Sequence, residues 1–216
     1  MPPDGASAVA RGAETEESIL VRVWVDPGCP WAWQTAIWLR DLRDRGLIRL
    51  EWRLFSLEVN SSEPDTPFWE AAATHGESLV SLLLARDEGG PEAFEALYEA
   101  LGALDHDDDH DVTPELVRKA AADAGMPDIV DRAVADTALP DRIRTEYLEA
   151  RELDVFGVPT LQIPGHAVIY GPILPLAPAG DDTPEWWKVV RFSLEHDDLY
   201  ELKRWPRGRR PGQPDS

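Results

Sequence analysis

The 216-residue chain is long enough for one domain with an insertion, and its 43% hydrophobic content allows a sizeable core. Its 41 acidic and 21 basic side chains give a net charge of −20, so we expect no binding to nucleic acid or to anionic membrane surfaces. No apolar run approaches the roughly 18 residues that a membrane-spanning helix requires.

The first 56 residues predict a β-α-β unit preceded by a leader. Residues 1–18 have neither the basic nor the apolar segment of a secretory signal, which predicts a disordered leader. Ile19–Val25 is a β-branched apolar run typical of a buried strand. A helix is predicted over residues 30–45, ended by Gly46, and the alternation of apolar and charged residues over 48–55 predicts a second strand.

Residues 57–156 predict an insertion of four or five helices. Thr66-Pro67 and Thr113-Pro114 suit helix starts, with threonine as the cap and proline at the first helical position, and Thr183-Pro184 repeats the pattern later in the chain. Further helices are expected after Pro91, from Pro127 and near Pro140.

A β-hairpin and a final helix are predicted after the insertion. Two apolar segments, 161–163 and 167–170, are separated by the turn Pro164-Gly165. The last helix is expected over residues 184–195, and a flexible basic tail over 205–216. The predicted order is β-α-β, helical insertion, β-β-α, which is an α/β fold.

Cys29 is the first candidate for chemistry, because it directly precedes the first turn of a predicted helix. The free N–H groups and the positive end of the helix dipole favour a thiolate there. We therefore expect the pKa of Cys29 to lie below the usual value of about 8.5 and the sulfur to act as a nucleophile. As the single cysteine it cannot form an internal disulfide, which fits a reducing compartment and predicts a cytoplasmic protein.

The second candidate is the Val158-Pro159 bond, between a helix end and an edge strand. An X-Pro bond in this place can be cis, and the alternative is an ordinary trans turn. A strand–Cys-Pro–helix opening combined with Gly-Val-Pro-Thr before a hairpin is far more specific than either motif alone.

These features resemble the DsbA-like branch of the thioredoxin superfamily. Four motifs resemble more narrowly the mycothiol-dependent nitroreductase group: Asp26-Pro-Gly-Cys-Pro-Trp-Ala-Trp33, Gly157-Val-Pro-Thr160, Tyr170-Gly-Pro172 and Tyr200-Glu-Leu-Lys-Arg204. The resemblance spans roughly residues 20–204. It implies a thioredoxin-like domain over 19–56 and 157–204 and an inserted helical domain over 57–156.

The resemblance also implies the parts of a site. Pro159 is the expected cis-proline facing Cys29, and the Val158 backbone is expected to bind an incoming sulfur compound. Pro30 and Thr160 complete the thiol-binding residues, with Trp31 and Trp33 bordering the pocket. The implied co-substrate is mycothiol or another low-molecular-weight thiol, acting on a small electrophilic or disulfide substrate, and no metal is expected.

The chain departs from the family at one position, because Ala32 replaces the second active-site cysteine. Without a resolving thiol, a mixed disulfide at Cys29 cannot collapse into an internal disulfide. Monothiol chemistry is therefore the main hypothesis, and the nitroreductase activity is not carried over.

Two alternative functions remain open. One is a thiol-dependent isomerase or transferase, as in the hydroxychromene-carboxylate isomerase and kappa-class glutathione transferase branches, where the sulfur of the thiol co-substrate reacts. The other is a non-catalytic, redox-regulated binding module. The oligomeric state is also open, with a homodimer as one candidate.

The histidines give a weaker signal. The loop Asp105-His-Asp-Asp-Asp-His-Asp111 lacks the glycine and glutamate of an EF-hand, so it is interpreted as a solvated acidic loop. His75, His166 and His196 are expected to be surface or satisfied residues. Trp69, at a predicted helix start, is a candidate for lining the cleft.

Overall fold

The four strands form one mixed sheet in the order β2-β1-β3-β4. A computed structural model describes residues 18–107, 112–204 and 211–212. In this sheet β1 (Ile19–Val25) is parallel to β2 (Ile48–Leu54) and antiparallel to β3 (Thr160–Gln162), which pairs with antiparallel β4 (Ile169–Tyr170). The predicted α/β order is therefore confirmed. Within these described ranges no helix is long and apolar enough to cross a membrane.

Helix α1 (Pro30–Asp44) crosses from β1 to β2 and ends as predicted. Gly46 follows with φ of 73°, a left-handed conformation that glycine adopts at little cost. Helix α8 (Asp182–Leu194) packs on α1, and the Trp38 indole donates a hydrogen bond to the Thr183 carbonyl at 3.2 Å. Both helices belong to the two parts of the chain that also contain the strands.

The segment between β2 and β3 holds more helices than the four or five predicted. Its described part contains α2 (Leu57–Ser61), α3 (Phe68–Ala71), α4 (Gly76–Gly102), α5 (Pro114–Asp123), α6 (Ile129–Ala135) and α7 (Leu139–Glu152), with a π-helical turn at Ala103–Asp107. Helices α2 and α3 are too short to carry a helical period in the sequence. Gly90, with φ of 72°, interrupts α4.

The three Thr-Pro pairs have different outcomes. Thr113 caps α5 as predicted, since its hydroxyl accepts the Leu116 N–H at 3.2 Å. The Thr66 prediction is wrong, because α3 begins after Pro67 and no side chain caps it. Thr183 lies inside α8, where its hydroxyl donates to Asp41 at 2.5 Å. The Thr183 hydroxyl therefore binds the Asp41 carboxylate on α1 and not the N–H groups that a helix cap would bind.

Two predicted helix bounds move by a few residues, and the predicted ends of the chain are largely not described. Helix α6 begins at Ile129 rather than Pro127, and α8 runs from 182 to 194 rather than 184 to 195. The leader over 1–17 and the tail over 205–210 and 213–216 lie outside the described residues. Gly212 is described, and its N–H donates to the Pro175 carbonyl at 2.7 Å.

A largely buried ion pair ties the helical segment to the sheet. The Arg86 guanidinium on α4 binds the Glu146 carboxylate on α7 through two bonds of 2.9 and 2.6 Å. Arg86 also donates to the Trp52 carbonyl at 3.0 Å, and Glu146 accepts the Leu54 N–H at 2.9 Å. The Trp52 carbonyl and the Leu54 N–H of β2 therefore have their hydrogen-bond partners on side chains of the helical segment.

We expect Glu146→Ala to lower the free energy of unfolding by about 2–4 kcal/mol, because it leaves the Arg86 charge and the Leu54 N–H without their acceptor. Glu149→Ala, on the exposed side of the same helix, is the matched control and should stay within about 0.5 kcal/mol of the parent. Urea unfolding measures both, and equal losses in the two variants would contradict this role.

Candidate active site

The loop between β1 and α1 is organised by the buried carboxylate of Asp26, which is 2% exposed. One of its oxygens accepts the Gly28 N–H at 2.7 Å, and the other accepts the Leu57 N–H at 2.6 Å. The Asp26 carbonyl also accepts the Cys29 N–H at 3.1 Å. These bonds fix the conformation of the loop that carries the cysteine and join it to the start of α2.

Cys29 is the N-cap residue of α1, in an extended conformation with φ of −99° and ψ of 107°. Its sulfur accepts the Ala32 N–H at 3.5 Å and lies 3.7 Å from the Val158 carbonyl oxygen. Pro30 occupies the first helical position, as predicted. The sulfur is therefore held between a helix N-terminus and the segment that leads into β3.

The prediction of a lowered Cys29 pKa is wrong. Burial of the thiol raises its pKa, and the nearby negative charge of Asp26 raises it further. The hydrogen bonds from Ala32 and Trp31 lower it, but they do not outweigh burial. Cys29 lies at the N-terminus of α1, as the sequence predicted. Its burial, with 5% of the residue exposed, is due to tertiary packing, which the sequence pattern does not reveal.

The Val158 carbonyl, directly before Pro159, is the backbone group that lies 3.7 Å from the Cys29 sulfur. The Val158–Pro159 peptide bond is cis, as is Gly171–Pro172. The Pro159 carbonyl accepts the Gly171 N–H at 2.8 Å, which continues the pairing of β3 with β4. The Val158 backbone, to which the family resemblance assigns sulfur binding, thus lies beside Cys29.

Thr160 and Trp31 are placed differently from each other. Thr160 is buried in β3 and its hydroxyl donates to the Gly157 carbonyl at 2.8 Å, so its side chain supports the Pro159 turn from within. Trp31, two residues after Cys29, is partly exposed and also packs against the core.

Trp33 is only 2% exposed and faces the helical segment. Its indole N–H donates to Asp107 at 2.9 Å, and its ring lies 5.9 Å from that of Tyr98. The guanidinium of Arg40 lies 5.0 Å from the ring centre. Trp33 therefore joins α1 to the end of α4 instead of forming an open wall beside the sulfur.

Two histidines reach the cysteine loop that the sequence analysis did not assign to it. The His75 ring packs on Gly28, where an added Cβ would lie 2.4 Å from the ring. His106, in the π-helical turn, places its Nε2 at 2.9 Å from the Pro27 carbonyl. Nothing in the spacing of His75 indicates this contact, and His106 belongs to the segment interpreted as a solvated loop. Residues 108–111 of that loop lie outside the described residues.

Phe156 and Tyr170 form an exposed aromatic pair at the segment that leads to Val158. Their ring centres are 4.9 Å apart, and they are 60% and 46% exposed. The Tyr170 ring lies over Gly157, where an added Cβ would be 3.1 Å away, one residue from Val158. Burial and then the negative charge of the Cys29 thiolate raise the pKa of Tyr170.

The ring of Trp69, a candidate for lining the cleft, packs on Gly76, the neighbour of His75. It is 44% exposed and lines a cavity of about 420 Å³ between α3 and the α6–α7 region, together with Arg144 and Asp141. None of the residues assigned to the cysteine site lines that cavity. Among the residues described, no cluster of three or more His, Cys, Asp or Glu side chains has the arrangement of a metal site.

We expect the alkylation of Cys29 by iodoacetamide to titrate above the midpoint of a free cysteine peptide, since burial raises the pKa of the thiol. A stopped or quenched rate series between pH 6 and 10 measures the midpoint. A midpoint well below that of a free cysteine peptide would show that the helix N-terminus outweighs burial.

We expect Gly28→Ala to destabilise the protein by about 1–3 kcal/mol, because the new methyl group would overlap the His75 ring. The same change in a His75→Ala background should cost clearly less, since the obstructing ring is gone. Equal costs in both backgrounds, measured by urea unfolding, would contradict the contact.

The chain is similar to several proteins of known structure. SCO1869 from Streptomyces coelicolor, described as a probable DsbA oxidoreductase, is 20% identical with a TM-score of 0.59, over 88% of this chain and 94% of that one. Pseudomonas aeruginosa DsbA is 16% identical with a TM-score of 0.52, over 84% and 85% of the two chains. At these identities the likeness shows the fold, which is DsbA-type and thioredoxin-like.

Sequence comparison reaches further than the fold. Rv2286c of Mycobacterium tuberculosis, described as an uncharacterized protein, is 32% identical in a 184-residue alignment that covers 83% of this chain and 79% of that protein. Residues 28–204 match the model of the Rv2466c-like family, described as mycothiol-dependent nitroreductase Rv2466c. With a match that begins one residue before Cys29 and covers most of the chain, this protein belongs to the Rv2466c-like family of DsbA-type, thioredoxin-fold proteins.

Proposed function

We propose that this protein is a monothiol oxidoreductase or thiol transferase, with Cys29 as its nucleophile and mycothiol as its thiol co-substrate. The observation that carries the proposal is the position of the Cys29 sulfur, at the N-terminus of α1 and 3.7 Å from the carbonyl of Val158. Membership in a mycothiol-dependent family supports the choice of thiol.

The proposed exchange needs only one protein sulfur. The Cys29 thiolate attacks one sulfur of a disulfide, a new S–S bond forms, and the other sulfur leaves as a thiolate. A thiolate of the co-substrate then attacks the mixed disulfide and releases Cys29 with its electron pair. Since Cys29 is the single cysteine and Ala32 occupies the next turn position, no internal disulfide competes with this second step.

The surroundings of Cys29 suit a small substrate better than a large one. The sulfur is buried, Trp31 in the first turn of α1 is partly exposed, and the exposed rings of Phe156 and Tyr170 lie at the segment that leads to Val158. These rings offer flat apolar surface to a small electrophile or disulfide, while the Val158 carbonyl offers a backbone acceptor. A net charge of −20 argues against nucleic acid as a partner, and the single cysteine argues for a cytoplasmic location.

The raised pKa of Cys29 favours a second candidate function. In a thiol-dependent isomerase or transferase the sulfur of the bound co-substrate reacts, so the protein needs no readily ionised thiol of its own. Cys29 would then orient the co-substrate, and Cys29→Ser would keep most of the activity. A non-catalytic binding module is the third possibility, in which the reduced thiol does not bind.

Intact-protein mass spectrometry after incubation with oxidised mycothiol tests the first proposal. We expect one mycothiol per chain on Cys29, removed by excess reduced thiol and absent from Cys29→Ser. Ala32→Cys is the matched variant: its new thiol should displace the adduct and leave an internal disulfide, two hydrogen masses lighter than the reduced form.

The outcomes separate the three functions. An adduct that persists in the parent and is lost from Ala32→Cys supports monothiol exchange. Failure of the parent to form any adduct contradicts it. Calorimetric binding of reduced mycothiol to Cys29→Ser would then favour the isomerase or transferase, and lack of binding the non-catalytic module.

A further inference from the structure

Phe156 is held at the surface by a strained turn that ends α7. Asp154 has a φ of 65°, a left-handed backbone conformation that costs energy for a residue with a side chain. The Val155 N–H donates to the Ala150 carbonyl at 3.0 Å. The Asp154 N–H donates to the Arg151 carbonyl at 3.1 Å, and the two bonds form the Schellman motif of a helix end. Val155 is fully buried, whereas Phe156, the next residue, is 60% exposed.

Tyr170 reaches the same place from β4. Its backbone pairs with Thr160 of β3, and its ring lies over Gly157, where an added Cβ would be 3.1 Å away. The ring centres of Phe156 and Tyr170 are 4.9 Å apart, with an angle of 33° between the ring planes. Glycine at position 157 therefore leaves room for a ring that a larger residue would crowd.

This aromatic pair adjoins the backbone group that lies against the sulfur. Gly157, under the Tyr170 ring, directly precedes Val158, whose carbonyl oxygen is 3.7 Å from the Cys29 sulfur. The two rings keep much of their apolar area in contact with water, since Phe156 is 60% and Tyr170 46% exposed. A single exposed apolar side chain is ordinary, whereas two rings in contact beside a reactive group offer a surface for a ligand.

We infer that Phe156 and Tyr170 determine specificity by binding a flat aromatic group of the disulfide that Cys29 attacks. The inference rests on the proposed function and names a substrate class for it, aromatic disulfides in preference to aliphatic ones. An aromatic group gains both contact area and the attraction between rings, whereas a flexible aliphatic chain gains only part of that area. The turn after α7 and the pairing of β3 with β4 hold both rings in place, so little conformational freedom is lost on binding.

The chemical step is the exchange already described for Cys29. Its thiolate forms a bond to one sulfur of the aromatic disulfide, the S–S bond breaks, and the other sulfur leaves as a thiolate with the electron pair. The disulfide itself accepts the two electrons, so no further oxidant is needed. The rings of Phe156 and Tyr170 take no part in these bond changes and act through contact with the aromatic group.

The test compares two neutral disulfides, dipyridyl disulfide, which is aromatic, and hydroxyethyl disulfide, which is aliphatic. Intact-protein mass spectrometry measures the rate at which each forms a mixed disulfide on Cys29. We expect Phe156→Leu and Tyr170→Leu each to lower the rate with the aromatic disulfide by about three- to tenfold, because the contact between rings is lost. The rate with the aliphatic disulfide should change by less than about twofold, since that contact is not made. Dividing each rate by that of the parent cancels the different intrinsic reactivities of the two disulfides.

Phe192→Leu is the matched control. Phe192 is 57% exposed on α8, and its ring also stacks on one neighbour, His196, so the change removes an equivalent exposed ring away from Val158. It should leave both rates unchanged. Tyr170→Phe keeps the ring without the hydroxyl and should keep the preference for the aromatic disulfide. Should Tyr170→Leu disturb the pairing of β4, Phe156→Leu still decides the matter, because Phe156 lies outside the strands and helices.

An equal fall of both rates in Phe156→Leu, or a fall in neither, would overturn the inference while leaving monothiol exchange in place. A parent protein that forms no mixed disulfide with either compound would instead contradict the proposed function. Binding of dipyridyl sulfide, which has no S–S bond to exchange, then tests the surface by itself in ligand-observed NMR. Weaker binding to Phe156→Leu than to Phe192→Leu supports the inference, and equal binding or none overturns it.

Discussion

The buried carboxylate of Asp26 is the interaction on which the rest of the site depends. It accepts the N–H groups of Gly28 and Leu57, and so it holds the end of β1, the start of α1 and the start of α2 in one arrangement. Burial raises the pKa of Asp26, and the N–H groups of Leu57 and Gly28 lower it without outweighing burial. The price of the arrangement is a negative charge beside the Cys29 sulfur.

Cys29 is consequently subject to two opposed influences. The N-terminus of α1 favours a thiolate, while burial and the charge of Asp26 favour the thiol, and the balance lies with the thiol. A buried and weakly ionised sulfur is protected from indiscriminate oxidation and alkylation. This protection suits a protein with one cysteine, because Ala32 offers no second thiol that could rescue an oxidised sulfur by an internal disulfide.

The helical segment does more than cover the site. It contributes His75, His106 and Asp107, which contact Gly28, Pro27 and Trp33 respectively. The loop that carries Cys29 is therefore in direct contact with the helical segment. The chemistry of Cys29 thus sits at the junction of the two halves, and either half can influence it.

The sequence by itself determined the order of elements and the place of Cys29, because strand alternation, the Asp26-Pro27-Gly28 break and the Thr113 cap are signals read within a few residues. It also brought Val158 and Pro159 forward as the partners of the sulfur, through motifs shared with a family. The tertiary structure alone decided the ionisation of Cys29, the inward turn of Trp33 and the place of His75. Burial and through-space charge depend on segments distant in the chain, and no local pattern encodes them.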